Sequence, residues 1–144
     1  DPALYHPMSS DAVDYRPLER IDPRDPPART ARCGIWMRAN GTMGDDPGVH
    51  TQMLAYMSDS YLMSTALLPH AITYDHPSMQ TASIDHGLWF YEDFRADDWL
   101  YYHLVSPRAG GGRGFNIGCI YTRDGRLVAT AVQEGLMRRQ FTPR

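Results

Sequence analysis

The sequence predicts an α+β fold in which a curved antiparallel sheet wraps one long central helix. Residues 47–69, PGVHTQMLAYMSDSYLMSTALLP, are apolar or neutral except for one carboxylate, Asp59. Beyond residue 80 the chain turns into β-branched and aromatic runs separated by glycine, the composition of strands. Asp124-Gly125 stands between two such runs, where a two-residue hairpin turn belongs. A surface helix shows a charged face, so a helix this poor in charge is expected to be surrounded by other elements.

Residues 1–30 are rich in proline, with Pro17, Pro23, Pro26 and Pro27 set among Asp and Arg, and read as an extended arm or linker. Its one candidate for regular structure is an edge strand at Pro17 to Ile21, and the folded domain is expected over 31–144. In ARCGIWMRA, Cys33, Ile35 and Met37 alternate with Gly34, Trp36 and Arg38, as in a strand with two different faces. Asn40-Gly41 turns the chain. The helix is expected from about Gly48 to Thr65, with Asp46 as its cap and Pro47 in the first turn, where a missing N–H has no cost. A loop through His70, His76 and Pro77 follows.

TASIDHGLWFY alternates as one strand, with Ala82, Ile84, His86, Leu88 and Phe90 on one face and Thr81, Ser83, Asp85, Gly87 and Trp89 on the other. WLYYHLVS is the next strand, followed by Ala109-Gly-Gly-Gly-Arg-Gly. That segment lacks the Lys-Ser/Thr of a phosphate loop and leads into another strand, FNIGCIYTR, so it reads as a flexible connection or bulge. The last strand, RLVATAVQEGLMR, puts Ala129, Ala131, Gln133 and Gly135 on one side and Thr130, Val132 and Glu134 on the other. A sheet of this kind around one helix has the shape of a hotdog domain.

Asp59 sits among Ala55, Tyr56, Leu62 and Met63 on its helical face, so its carboxylate is expected to be poorly solvated and to need a partner. A structural hydrogen bond and a catalytic role both satisfy that need. The 144 residues suit one domain, and the formal charge of −3 supplies no basic field for nucleic acid or membrane. All 14 cations are arginine. Cys33 and Cys119 have no metal-ligand spacing and fit a reducing, cytoplasmic setting. The six histidines form no ligand pattern, and nothing calls for a metal or a cofactor. No apolar run reaches the roughly 18 residues of a spanning helix, and the first residues lack the form of a signal peptide.

The ordered segments RPLE (16–19), IWMRANG (35–41), YMSD (56–59), TALLPH (65–70), SIDHGLWF (83–90), RGF (113–115), YTRDGRLVA (121–129) and VQEGLMR (132–138) resemble the C-terminal half of the type II acyl-CoA thioesterases. The resemblance implies a hotdog fold, hydrolysis of fatty acyl-CoA, and a catalytic Asp, Ser/Thr and Gln holding the attacking water. The matching positions are Asp59, Ser83 and Gln133; the role of Ser83 rests on the resemblance alone. The family's WFH reads Trp89-Phe90-Tyr91 here, and Gly87 replaces its frequent serine. Its members carry two hotdog domains in one chain, so a second hotdog (an N-terminal half, a separate chain or a second copy) is the expected partner, giving an oligomer.

Thioester hydrolysis needs an activated water and donors for the developing oxyanion. Asp59 serves as general base or orienter, Ser83 fixes the water or the carboxylate, and the Gln133 amide binds the same water, with backbone N–H groups at a helix start as candidates for the oxyanion. No GxSxG elbow is present, which favours direct water attack. The alternative of another class is a non-catalytic hotdog protein that binds acyl-CoA or an acyl carrier. A hydratase or dehydratase would use His86, but the alternation puts His86 on the face opposite Ser83.

Overall fold

The computed structural model describes residues 11–140. Its strands are β1 (Val13–Pro17), β2 (Arg32–Ala39), β3 (Met79–Ser83), β4 (Gly87–Phe90), β5 (Leu100–Gly110), β6 (Arg113–Thr122) and β7 (Leu127–Arg139). They form one antiparallel sheet in the order β1-β2-β5-β6-β7-β3, with β4 also paired to β7. The sheet curls around the helix α1 (Pro47–Ser58), as the sequence predicts.

Alternation sets the inner face. Ile35 and Met37 of β2, Leu100, Tyr102 and Leu104 of β5, Ile120 of β6 and Ala129 and Ala131 of β7 are all buried, and Leu54, Met57 and Leu62 pack onto them from the helical side. At the crowded floor two glycines are required by close approach: a Cβ on Gly118 would stand 2.1 Å from the Tyr102 ring, and one on Gly114 would meet Ala66 and Met137. The β5–β6 connection is a tight turn with Gly111 and Gly112 at φ 63° and 75°. Only glycine adopts two such residues without strain, so the expected flexible segment is a defined hairpin.

Both ends of α1 are held by tertiary contacts. At its start Asp46 caps the helix by accepting from Gly48 N, as expected. The buried His50 accepts from Ala96 N through Nδ1 and donates from Nε2 to Gly44 O at 2.8 Å. Arg95 donates to Asp97, Asp45 and the Met43 carbonyl. Hydrogen bonds from Arg95 hold the Asp97 carboxyl down at about 2.

The helix ends at Ser58, seven residues before the expected Thr65. Tyr15 of β1 donates to Met57 O at 3.1 Å and Tyr102 of β5 donates to Ser58 O at 2.9 Å. The sheet thus takes carbonyls that further helical turns would have used. Tyr61 then enters the left-handed region at φ 65°, and a separate 3₁₀ segment runs from Met63 to His70. Burial pushes the Tyr15 hydroxyl up to about 12 and the Tyr102 hydroxyl well above its usual value, so both remain protonated donors.

Two further expectations shift. The strand of the arm is Val13–Pro17 instead of Pro17 to Ile21, in register with Ala39 through Ile35. The single strand expected over 81–91 is broken into β3 and β4. At the break, Ile84 N and Asp85 N both donate to Glu134 O, and Glu134 N donates to the Asp85 carboxylate at 2.7 Å. Asp85 so replaces a ladder bond with its side chain and resets the alternation between the two halves.

Candidate active site

Gln133 is the centre of the cluster. It shares a side of β7 with Ala129 and Ala131, as the alternation predicts, and that side is the inward one, where Gln133 has no exposed surface. Its Nε2 donates to Asp59 Oδ1 at 2.7 Å and to Ser83 Oγ at 3.0 Å. One strand from the sheet edge, one from its interior and the end of the helix therefore meet at three polar side chains, and all three residues named from the sequence are brought together. Asn116, opposite Gln133 on β6, lies buried beside it and donates weakly to its backbone carbonyl at 3.4 Å.

The solvation of Asp59 differs from expectation. Its side chain is 60% exposed instead of desolvated, because the helix stops at Ser58 and Asp59 occupies the cap position beyond the last packed turn. Ser83 is exposed as well. Both hydrogens of the Gln133 amide are committed to Asp59 and Ser83, so they are not available to a water as the sequence reading supposed. Ser83, an acceptor from Gln133, keeps its own hydrogen for donation. No arginine side chain is within salt-bridge reach of Asp59 among the described residues, which leaves it an acceptor without a permanent counter-charge.

His86 is the residue that the strand pattern misplaced. Because the alternation restarts after Asp85, His86 swings to the same site: Nδ1 lies 3.6 Å from Asp59 Oδ1 and Nε2 lies 3.2 Å from Ser58 Oγ. The signal that marks such a break was present, since Asp85 and Gly87 flank His86 and both are poor strand residues. The start of α1 lies about 18 Å along the axis from Asp59, so its N–H groups do not reach this cluster. Among the described residues no group of three or more His, Cys, Asp or Glu side chains could hold a metal.

Ile84, next to Ser83 at the β3–β4 break, and Tyr56 on the last turn of α1 are exposed apolar residues close in sequence to the cluster, and Trp89, Phe90 and Tyr91, farther along β4 toward the start of α1, are exposed as well. Neither β3 nor β4 has a second strand neighbour among the described residues. No helix is long and apolar enough to cross a membrane among the described residues. Cys33 and Cys119 are free thiols, and burial pushes the Cys33 thiol up.

Comparison with known proteins places this geometry in context. The family model for acyl-CoA thioesterase matches residues 10–136. Human acyl-coenzyme A thioesterase 8 is 38% identical over 133 residues, covering 92% of this chain and 40% of that protein. Acyl-CoA thioesterase 2 of Haemophilus influenzae is 40% identical over 103 residues, covering 72% of this chain and 36% of its own length. The crystal structure of an acyl-CoA thioesterase II, TesB2, from Mycobacterium marinum superposes with a TM-score of 0.77 at 40% identity, over 90% of this chain and 50% of that one. The chain spans about a third to two fifths of the curated relatives' length.

Proposed function

The chain belongs to the acyl-CoA thioesterase family, and from that premise we propose that it hydrolyses fatty acyl-CoA to free fatty acid and CoA by direct attack of water. Asp59 accepts a proton from the water. Ser83 donates its free hydrogen to the same water or to the developing oxyanion, and Gln133 holds the two side chains at a fixed separation. The observation that best supports this reading is the buried Gln133 amide, which binds Asp59 and Ser83 together with both of its hydrogens. An amide aligns a carboxylate without neutralising it.

The site is open on the side of Asp59 and Ser83, and the exposed Ile84 and Tyr56 lie one and three residues from them in the chain. A second hotdog domain closes that side, whether an N-terminal half, a separate chain or a second copy, and it supplies the oxyanion donors that α1 of this chain does not. The free thiols suit a reducing, cytoplasmic compartment. A hydratase would direct His86 at the acyl chain; its approach to Asp59 engages it with the carboxylate instead.

Acyl-CoA mixed with the protein and a thiol-reactive dye tests the reading. Steady release of free CoA is expected. A stoichiometric binding signal without release would establish the non-catalytic acyl-CoA binder in its place.

A further inference from the structure

We propose that a cavity beneath the proline-rich arm takes the far carbons of the acyl chain whose thioester lies at Asp59. The proposal rests on the hydrolase reading and names the part of the substrate that this chain grips.

The arm is tied down at both ends. Leu18 N donates to Gly34 O at 2.9 Å, and Arg29 N donates to Leu68 O at 3.0 Å. Between these anchors the chain has neither helix nor strand, and Pro23, Pro26 and Pro27 restrict its backbone so that it arches as a strap. The Arg29 guanidinium donates to Glu19 and joins the two ends of the strap to each other. Under it is a cavity of about 160 Å³. Ile21 of the strap, Ile35 of β2, Leu68 of the 3₁₀ segment and Ile72 supply apolar wall, and Tyr61 and Ser64 line it from the segment that follows the helix.

The chemistry of the wall selects a hydrocarbon. Its polar groups Cys33 and Thr65 are turned on their neighbours: Cys33 Sγ lies 3.5 Å from Thr65 Oγ1, and the Thr65 hydroxyl lies 3.1 Å from Tyr61 O, to which it donates. Glu19 and Arg29 answer each other's charge. An apolar cavity of about 150 Å³ holds a benzene molecule, so this one has room for about six carbons of an alkyl chain.

The cavity and the catalytic cluster share one stretch of chain. Tyr61 follows Asp59 by two residues, which puts their Cα atoms no more than about 7 Å apart. Tyr61 is also held at φ 65°, a left-handed conformation that a bulky side chain rarely adopts. Its carbonyl is fastened by Thr65, and its ring packs on Tyr15 with 5.7 Å between centroids. Strain of this kind persists where the surroundings impose it, and it concentrates at ligand clamps. Tyr61 is the point at which the acyl chain passes from the thioester into the cavity.

A series of acyl-CoA substrates of increasing length tests this on the active protein. Each methylene that enters the cavity is expected to raise kcat/KM about fourfold, over a window of about six carbons, after which the profile levels. The gain is expected in KM, because the far carbons are held equally before and during the chemical step. A profile without that window overturns the inference while turnover leaves the hydrolase reading intact. Ser64→Phe fills the cavity from the 3₁₀ segment and is expected to lower the ratio of kcat/KM for dodecanoyl-CoA over butanoyl-CoA about tenfold or more. Ile21→Trp fills it from the strap, where no strand pairing is at stake, and is expected to lower the same ratio; an unmoved ratio in either folded variant overturns the inference. Dodecanoic acid added to the native protein gives a reading without turnover. Carbon–proton spectra are expected to show the methyl resonances of Ile21, Ile35 and Ile72 shifting together, and shifts confined to Ile84, or none, overturn the inference. A protein that releases no thiol from any acyl-CoA fails the hydrolase reading itself, and the inference with it.

Discussion

The two ends of α1 each carry a histidine and an aspartate, and they use them in opposite ways. At the start, both nitrogens of His50 are satisfied by backbone groups and Asp97 is locked to Arg95, with every partner in place. At the end, the fastening is done by the neutral hydroxyls of Tyr15 and Tyr102, while Asp59 has no guanidinium beside it and His86 Nδ1 lies 3.6 Å from that carboxylate. The same residue types form a clamp where their charges are neutralised, and leave a carboxylate without a guanidinium where neutral hydroxyls hold the backbone. Position on the helix matters less than which partners are charged.

The strongest way to break this contrast is to remove the charge at the end of the helix. Asp59→Asn keeps the shape and is expected to lower kcat by about a hundredfold or more with little change in KM. Steady-state kinetics on the folded variant checks it, and near-native kcat would reduce Asp59 to a second structural aspartate. Ser83→Ala and Gln133→Ala act on the same step, so double variants with Asp59→Asn are expected to fall well short of additive loss.

Closure of the open end comes next in size. Activity is expected only where the 16.3 kDa chain is associated with a second hotdog. Sedimentation of the active sample over a dilution series reads this, and full turnover by a lone chain would show that the exposed rim needs no cover.

Tyr102→Phe tests the neutral fastening. It strips the donor from Ser58 O in a buried site and is expected to cost about 1–3 kcal/mol of stability. Activity is expected to fall as well, since the Ser58–Asp59 turn loses its anchor. Thermal unfolding and kcat measured together separate the two effects.

The clamp at the helix start gives the smallest change, and one of stability alone. Because Arg95 holds the Asp97 carboxyl at about 2, below its ordinary value of 3.8, the unfolded chain binds more protons than the native one across that interval. The stabilisation is complete above the ordinary value and drains away as pH falls through about 2. Asp97→Asn is expected to remove about 1–2 kcal/mol at neutral pH, with screening at the partly exposed Arg95 holding it there. The acid branch of the stability curve is expected to flatten while kcat at neutral pH stays near native.

What the sequence made legible was local. The Asp46 cap, Pro47 and a turn at Asp124-Gly125 follow from residue types, although the turn takes up residues 123–126 instead of two; alternation put Gln133 on the side of Ala129 and Ala131, and the structure buries that side. Asp59 stood out as the one charge in an apolar segment. The helix end was not legible because the tyrosines that terminate it lie 42 and 44 residues away. The β3–β4 break was missed for a similar reason, since Asp85 is stitched to Glu134 across 49 residues. Once that break was missed, an unbroken period of two put His86 on the wrong face. The exposure of Asp59 followed from the misplaced helix end: read as a mid-helix residue it had to be buried, and as a cap it did not.

The Gln133 bond to Asp59 spans 74 residues, and that to Ser83 spans 50. Contacts this remote in sequence form late in folding, after the loops between them have been closed at an entropic cost. Of the strands described, β7 is the last along the chain, and it is the strand that brings Gln133 under both side chains. A chain folding from its early segments can complete α1, β2, β5 and β6 and still have no site at all. Recovery of turnover after dilution from denaturant would then report the docking of one strand, and would lag behind the return of helical signal.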